Sequence, residues 1–357
     1  MFSASGKSEG DGFGFAFAIS GDGMTLAVGA GSESGFQGGY MKLYKKSGTD
    51  WSEFQEISGD ADGSQFGGRI DLSNDGSILI TSDRIVTEVD LIDIETYELY
   101  IYELSSGASQ YALLDTMNNS GTFAVSGDGS VVGVSDFGIY ERGDDGFDLK
   151  GLAFSDSWDS ISLNGDGSIV ILGDYGWNSE RGRARVLQWK EKDGSMDWIQ
   201  MGDVIEGDED FNSGDRETVA ISSDGLTVSI GSARASGEKG VVRVYTYDGT
   251  EETWNQRGGD LIGDNALDSL AKNEVSSGVT YLVAGAFAGN FKIFQWNGSD
   301  YEVRERVSSE DTSGGKLVDI SADGSLVVYA NPRMDTGTIY LYETGAPVDD
   351  QQKYIFN

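Results

Sequence analysis

Short apolar runs joined by glycine-rich turns recur along the chain from its first residues onward. In FGFAFAISGDGMTLAVGAG (residues 13–31), two apolar runs, each too short for a helix, flank Gly21-Asp22-Gly23. Apolar runs of this length that end at Gly and Asp are typical of β-strands joined by tight hairpins. No window of the sequence keeps a 3.6-residue periodicity. The pattern therefore predicts an all-β protein.

The same hairpin returns six more times. Five copies keep an Asp-Gly turn, and a seventh, NEVSSGVTYLVAGA, keeps the pattern without the aspartate. The turn positions are separated by 38 to 58 residues and fall at residues 22, 75, 128, 166, 224, 277 and 323. Each copy precedes a third apolar-aromatic run, and several precede a fourth that opens on an aromatic residue: Trp51, Trp198, Trp254 and Tyr301. We expect the three tryptophans among them to pack between repeats.

Four strands in a repeat of about fifty residues are typical of a β-propeller. We predict one closed, seven-bladed propeller of four-stranded antiparallel blades over residues 1–357. A lone sheet with two apolar faces cannot bury both, so each blade needs neighbours. The chain ends, near Phe2 to Ser5 and Tyr354 to Phe356, are expected to meet. The predicted blades cover residues 12–58, 65–116, 120–152, 158–206, 215–262, 268–308 and 314–357.

The repeat resembles the FG-GAP repeat of integrin α-subunit propellers. Phe13-Gly14 and Phe66-Gly67 match its opening motif, and the segment VGA at residues 28–30 matches its closing motif. The longer unit, which runs from WNQRGGDLIGD or WIQMGDVIEGD into the next inner strand, is similar to repeats in surface proteins of marine bacteria and algae. This resemblance implies an extracellular or cell-surface location. In the family the first turn often binds calcium. Here the turn shortens to forms such as SGDG with one aspartate, whereas Ca²⁺ takes six to eight oxygen ligands, so a structural turn is favoured.

The composition excludes several function classes. Sixty acidic against 25 basic residues give a net charge of −35, which repels nucleic acid and anionic lipid. The chain has no cysteine and no histidine, which excludes disulfides, thiolate nucleophiles, His-ligated metals and a Ser-His-Asp triad. The chain as given shows neither a signal peptide nor an apolar run long enough to span a membrane.

The long connections between strands are expected on the face opposite the short turns, where loops carry recognition. One connection, residues 82–98, is unusually long. The candidate residues for binding a ligand or partner are Trp177, Asn178, Glu180, Arg181 and Arg333. Acidic connections between blades offer a candidate Ca²⁺ site, or alternatively a solvated acidic surface, at Asp60, Asp62, Asp208, Asp210 and Asp215. Asn118 and Asn297 match the glycosylation sequon.

These features predict a non-enzymatic binding or assembly module of an extracellular structure, in contact with protein or glycan. No cofactor is required by the sequence, and Ca²⁺ is the one candidate. Two alternatives stay open: a glycosidase-type propeller enzyme with a pair of carboxylates in its central funnel, and a Ca²⁺-dependent lectin. A deep funnel with two acids about 5–10 Å apart would favour the enzyme. A flat surface or blade edge that contacts another chain would favour assembly.

Overall fold

The computed structural model of the protein describes most of the chain. The described residues are 4, 6–31, 38–59, 64–89, 92–118, 121–207, 219–232, 235–264, 272–275, 280–285, 290–308, 318–331, 337–344 and 354–355. None of the helices in these ranges has the length and apolar character needed to cross a membrane.

Seven antiparallel sheets form a ring, which confirms the predicted seven-bladed propeller. In each blade the first strand in the sequence is the inner one, and later strands follow outward. The strands of blades 1 to 3 are β1 Ala16–Ile19, β2 Thr25–Ala30, β3 Tyr40–Ser47, β4 Asp50–Ser58, β5 Ile70–Leu72, β6 Ile78–Val89, β7 Ile92–Glu103, β8 Ala112–Asn118, β9 Phe123–Val125, β10 Val131–Val134, β11 Gly138–Arg142 and β12 Phe147–Leu149.

Blades 4 and 5 each add a two-residue outer strand and a four-residue helix to the four-stranded pattern. The elements of blades 4 to 7 are β13 Ser160–Leu163, β14 Ile169–Asp174, α1 Trp177–Glu180, β15 Arg183–Lys192, β16 Ser195–Gln200, β17 Ile205–Glu206, β18 Val219–Ile221, β19 Thr227–Ser232, α2 Ala235–Glu238, β20 Val241–Asp248, β21 Thr253–Gln256, β22 Leu261–Ile262, β23 Lys272–Val275, β24 Tyr281–Gly285, β25 Asn290–Trp296, β26 Tyr301–Ser308, β27 Val318–Ile320, β28 Leu326–Asn331, β29 Thr338–Glu343 and β30 Tyr354–Ile355.

The apolar core lies between blades rather than within any one of them. Seven buried clusters each join the facing sheets of two neighbouring blades, and one of them joins blade 1 to blade 7. The aromatic residues that open the fourth strands lie in or against these clusters. The Trp254 indole N–H of blade 5, for example, donates to the Met201 carbonyl of blade 4 at 2.7 Å. Burial therefore depends on the whole ring.

The Asp-Gly turns are held by their own side chains. In the first turn the Ser20 hydroxyl donates to Asp22 Oδ1 at 2.5 Å, and the Met24 N–H donates to the same oxygen at 2.9 Å. The turn glycines adopt φ between 63 and 73°, a range that favours glycine. The other described turns repeat the contact from Ser or Asn to Asp at Ser73–Asp75, Ser126–Asp128, Asn164–Asp166, Ser222–Asp224 and Ser321–Asp323.

The Phe-Gly and Gly-Ala motifs of adjacent blades meet across the blade interface. A Cβ built on Gly29, at the end of β2, would lie 2.0 Å from the Gly67 carbonyl oxygen of blade 2. A Cβ on Gly67 itself would lie 2.7 Å from the Tyr40 carbonyl oxygen, and Gly67 has φ +81°. The repeated glycines therefore allow two backbones to approach where a side chain would separate the blades.

The ring closes between blade 7 and blade 1 through non-covalent contacts. The Ile19 N–H on β1 donates to Asp319 Oδ2 on β27 at 2.8 Å. The Ala322 N–H donates to the Gly21 carbonyl at 2.9 Å, next to the turn. Phe2, Ser5 and Phe356, which we predicted to lie at the meeting chain ends, are outside the described residues.

The connection predicted at residues 82–98 is formed by two long β-strands instead of a loop. Residues 82–98 contribute to a β6–β7 hairpin whose ladder runs unbroken from the pair Ile78 and Glu103 to the pair Val89 and Ile92. β6 has 12 residues, whereas β2, β14 and β19 have six each, so the hairpin extends about 20 Å beyond the neighbouring second strands. Local β-branched content favours a strand here, and the long hairpin replaces the expected loop.

Candidate functional site

The strand order places both sets of long connections on one face of the ring, opposite the Asp-Gly turns. We call this the loop face, and among the described residues it carries the ends of β6 and β7 that lead into their connection, together with α1 and α2. The turn face carries the Asp-Gly turns and the connections between third and fourth strands. The short turns and the long connections therefore lie on opposite faces as expected, and a recognition role for the loop face stays a prediction.

An aromatic and basic stack occupies the loop face of blade 4. The Arg183 guanidinium lies 3.9 Å from the Trp177 ring centroid and 4.8 Å from the Trp158 ring centroid. Arg183 Nε donates to Asp174 Oδ2 at 3.0 Å, and both side chains are 15% exposed. Trp177 remains 40% exposed, and the neighbouring Tyr175 is 36% exposed. The stack therefore places a partly exposed aromatic ring on a guanidinium that the Asp174 carboxylate holds in place.

The chain positions this stack through local geometry. β14 ends at Asp174, and the four-residue α1 then returns the chain so that Arg183 opens β15 directly opposite Asp174. The Gly182 N–H donates to the Trp177 carbonyl at 3.1 Å, which closes the turn. Arg183 and Trp158 were not among the sequence candidates, because Trp158 is distant in the sequence and reaches the loop only through the packing of blade 4.

The other predicted binding residues divide into two groups. Asn178 and Glu180 lie in α1 with Trp177, and Arg181 is its C-terminal cap, so these residues share the blade 4 loop face. Asn178 has φ 51°, a conformation that asparagine adopts more readily than most residues. Arg333 lies outside the described residues, as do the predicted cation ligands Asp60, Asp62, Asp208, Asp210 and Asp215. Among the described residues, no group of three or more acidic side chains is placed to hold a metal ion.

The two sequon asparagines lie on opposite faces. Asn118 is exposed at the end of β8, next to the loop face. Asn297 lies in the turn between β25 and β26, where its Oδ1 accepts the Ser299 and Asp300 backbone N–H groups at 2.9 and 3.0 Å. Its Nδ2 donates to Glu302 Oε1 at 2.6 Å. The Asn297 amide therefore stabilises a turn, whereas Asn118 projects from a strand end.

The central channel holds a cavity of about 220 Å³. Among the described residues it is lined by the inner strands of blades 1 to 5 and blade 7 and by the residues that precede the turn aspartates. At the turn end, backbone hydrogen bonds connect one blade to the next, as from the Asn74 N–H to the Gly127 carbonyl at 2.7 Å. Ligand pockets are usually larger, about 300–1,000 Å³.

Among the described residues, two aspartates line the channel, and both accept hydrogen bonds from backbone N–H groups. Asp71 Oδ2 accepts the Val125 N–H of the next blade at 2.9 Å, and its Oδ1 accepts the Leu72 N–H at 2.8 Å. Asp319 Oδ2 accepts the Ile19 N–H of blade 1, and its Oδ1 accepts the Ile320 N–H. Asp71 and Asp319 thus belong to the two blades on either side of blade 1. Each of these two carboxylates therefore connects its own blade to a neighbouring blade through a hydrogen bond.

Comparison with known proteins supports the propeller fold and does not identify a family or an activity. No protein-family model matches the chain, and no curated protein matches it in sequence. Among solved structures, hydrazine synthase of Kuenenia stuttgartiensis aligns with a TM-score of 0.62 and 13% sequence identity, covering 96% of this chain and 98% of that chain. At this identity the likeness shows a shared propeller fold. The FG-GAP resemblance stays a prediction.

Proposed function

We propose that the protein is a non-enzymatic binding module of an extracellular or surface-exposed assembly, which contacts a protein partner through the blade 4 loop face. The observation that carries the proposal is the Trp158–Arg183–Trp177 stack, in which Trp177 is exposed, together with the nearby exposed Tyr175. Trp, Tyr and Arg are the residues enriched at interface hot spots, and a side chain fixed before binding loses little conformational entropy on binding.

A protein partner is favoured over a glycan by the position of Arg183. One face of the Trp177 ring is covered by the guanidinium at 3.9 Å, so the other face of Trp177 and the exposed part of Tyr175 remain for contact. The net charge of −35 favours a partner surface rich in Lys and Arg and gives an association rate that falls with salt. The glycosidase alternative receives less support, because Asp71 and Asp319 are each bound to two backbone N–H groups.

The test is a native pull-down from the source material with the immobilised full chain, with and without a calcium chelator. We expect Trp177→Ala to lose the retained partner and Met196→Ala to keep it, since Met196 is 50% exposed on β16 of the same blade but outside the stack. Equal retention by both variants would refute the site. A partner lost only in chelator would show that a cation bridges the contact.

Two further assays separate the alternatives. Binding to an immobilised glycan panel that is abolished by Trp177→Ala would replace the protein partner with a glycan. Hydrolysis of aryl glycosides that disappears in both Asp71→Asn and Asp319→Asn would replace the binding module with an enzyme. We expect neither result.

A further inference from the structure

A buried carboxylate lies at the base of the β6–β7 hairpin, where blade 2 meets the segment from blade 1. Asp83 is 2% exposed, and its Oδ1 has no hydrogen-bond partner in the described part of the chain. Ser64, on that incoming segment, is 1% exposed, and its Oγ lies beside Asp83 without the geometry of a hydrogen bond. Burying polar oxygens without partners costs free energy, so these two groups call for a ligand.

A second carboxylate faces the first. Glu98 on β7 is directly opposite Asp83 in the hairpin ladder, so both side chains lie on the same face, with Cβ atoms about 4.5–5.5 Å apart. The Tyr100 hydroxyl donates to Glu98 Oε2 at 2.6 Å and orients that carboxylate. Like charges directly opposite each other destabilise a hairpin unless something neutralises them.

The electrostatics of Asp83 agree with a missing positive charge. Burial is the main cause of a raised pKa of Asp83, and the nearby Glu98 raises this pKa further. The Ser64 hydroxyl and the backbone N–H groups of Gln65 and Arg84 oppose the rise only in part. Glu98 is the one charged side chain among these main influences on the pKa of Asp83, and it is also an acid. Arg84, the next residue, pairs with Glu95 instead. Either a proton or a cation must balance the pair.

The row of oxygen ligands continues to the surface. Asn118 on β8 is directly opposite Glu98, and it is exposed where Asp83 is buried. Two carboxylates, a hydroxyl and an amide oxygen are hard ligands of the kind that Ca²⁺ prefers, at about 2.3–2.6 Å and with waters in the remaining positions. The smaller Mg²⁺ demands stricter octahedral geometry and dehydrates reluctantly.

We propose that Asp83 and Glu98 bind a divalent cation of the Ca²⁺ class, with Ser64 Oγ as a third ligand and Asn118 at the solvent end of the site. The bound ion joins the segment between blades 1 and 2 to the base of the long hairpin and so fixes the direction in which the hairpin leaves the loop face. Ser64 follows the predicted ligand Asp62 by two residues, on the same segment between blades 1 and 2, and the site is independent of the blade 4 stack.

Calorimetric titration of the chelator-treated full chain with CaCl₂ tests the site. In Asp83→Asn and in Glu98→Gln we expect the tightest calcium affinity to fall at least tenfold. In the matched control Asp145→Asn, which removes the same charge from an exposed residue of the turn face, it should stay within twofold. Absence of calcium binding to the native chain, or equal affinity in all four proteins, would overturn the proposal.

Thermal unfolding supplies a second readout. Calcium should raise the Tm of the native chain and of Asp145→Asn but not of Asp83→Asn. Without calcium, Asp83→Asn should unfold at or above the native Tm, because it removes half of a like-charge pair. A calcium-induced Tm rise that persists in Asp83→Asn would contradict the site. Glu98→Gln, at the less buried position, decides the matter if Asp83→Asn does not fold. Trp177→Ala should keep the calcium response, which separates this test from that of the proposed function.

Discussion

Asp319 is expected to hold the ring closed, and its removal should show this quantitatively. Its Oδ2 accepts the N–H of Ile19, which is 5% exposed, at 2.8 Å across the seam between blades 7 and 1. A hydrogen bond to a charged group contributes about 1.5–3 kcal/mol. Water in the channel can hydrate part of the orphaned N–H, so we expect Asp319→Ala to cost about 2 kcal/mol of unfolding free energy. Asp319→Asn retains an acceptor and should recover about half of this.

The magnitude can be converted into a thermal shift. An unfolding entropy of about 2.1 cal/mol/K per residue gives roughly 0.75 kcal/mol/K for the whole ring, so a loss of about 2 kcal/mol lowers the Tm by about 3 °C. Differential scanning calorimetry measures this shift. Hydrogen exchange should rise at β1 and β27 in Asp319→Ala, because a seam without a covalent connection opens first.

Asp71→Ala provides the control for the seam. Asp71 makes the equivalent bond to Val125 at 2.9 Å, but blades 2 and 3 are joined by the chain. We expect a similar loss of Tm without increased exchange at the blade 7 to blade 1 seam. If Asp319→Ala left both the Tm and the exchange unchanged, or if Asp319→Asn were as damaging as Asp319→Ala, this account of ring closure would be wrong.

Three other predictions concern the repeat itself. Gly29→Ala should lower the free energy of unfolding by about 3 kcal/mol or more, because its Cβ would lie 2.0 Å from the Gly67 carbonyl oxygen. The control Gly48→Ala meets no atom within 4 Å and should cost about 1 kcal/mol through its φ of +63° alone. Urea unfolding compares the two variants. Burial alone would raise the pKa of Asp166, but the bonds from Ser168 and Asn164 outweigh it and the pKa is lowered. Asp166 therefore stabilises the fold above about pH 4 and loses this effect as the pH falls further, so a Tm deficit of Asp166→Asn at pH 7 should shrink toward pH 2; an unchanged deficit would contradict the linkage. Trp254→Phe, which loses the bond to the Met201 carbonyl, should cost about 1–2 kcal/mol by denaturant unfolding, and no change would show that this bond contributes nothing.

The sequence alone predicted the blades because their information is local. The Ser-x-Asp-Gly turn needs a hydroxyl or amide, a carboxylate and a glycine within four residues, and Ser20, Asp22 and Gly23 supply them in the observed geometry. Each apolar run beside such a turn is a strand with two faces to bury. Seven repeats of this unit, 38 to 58 residues apart, bury both faces of each sheet when they are arranged as the blades of a ring.

The tertiary structure decided what distant residues do to one another. The sequence marks Gly29 and Gly67 as repeated, but only the approach of two backbones across a blade interface explains why neither can carry a side chain. The position of Trp177 in a long connection marks it as a candidate in the sequence. Its contact with Arg183 depends on the pairing of β14 with β15, which only the structure shows. The sequence places Asp83 in the long connection of residues 82–98. Strand pairing and burial, which depend on contacts far apart in the chain, place it opposite Glu98.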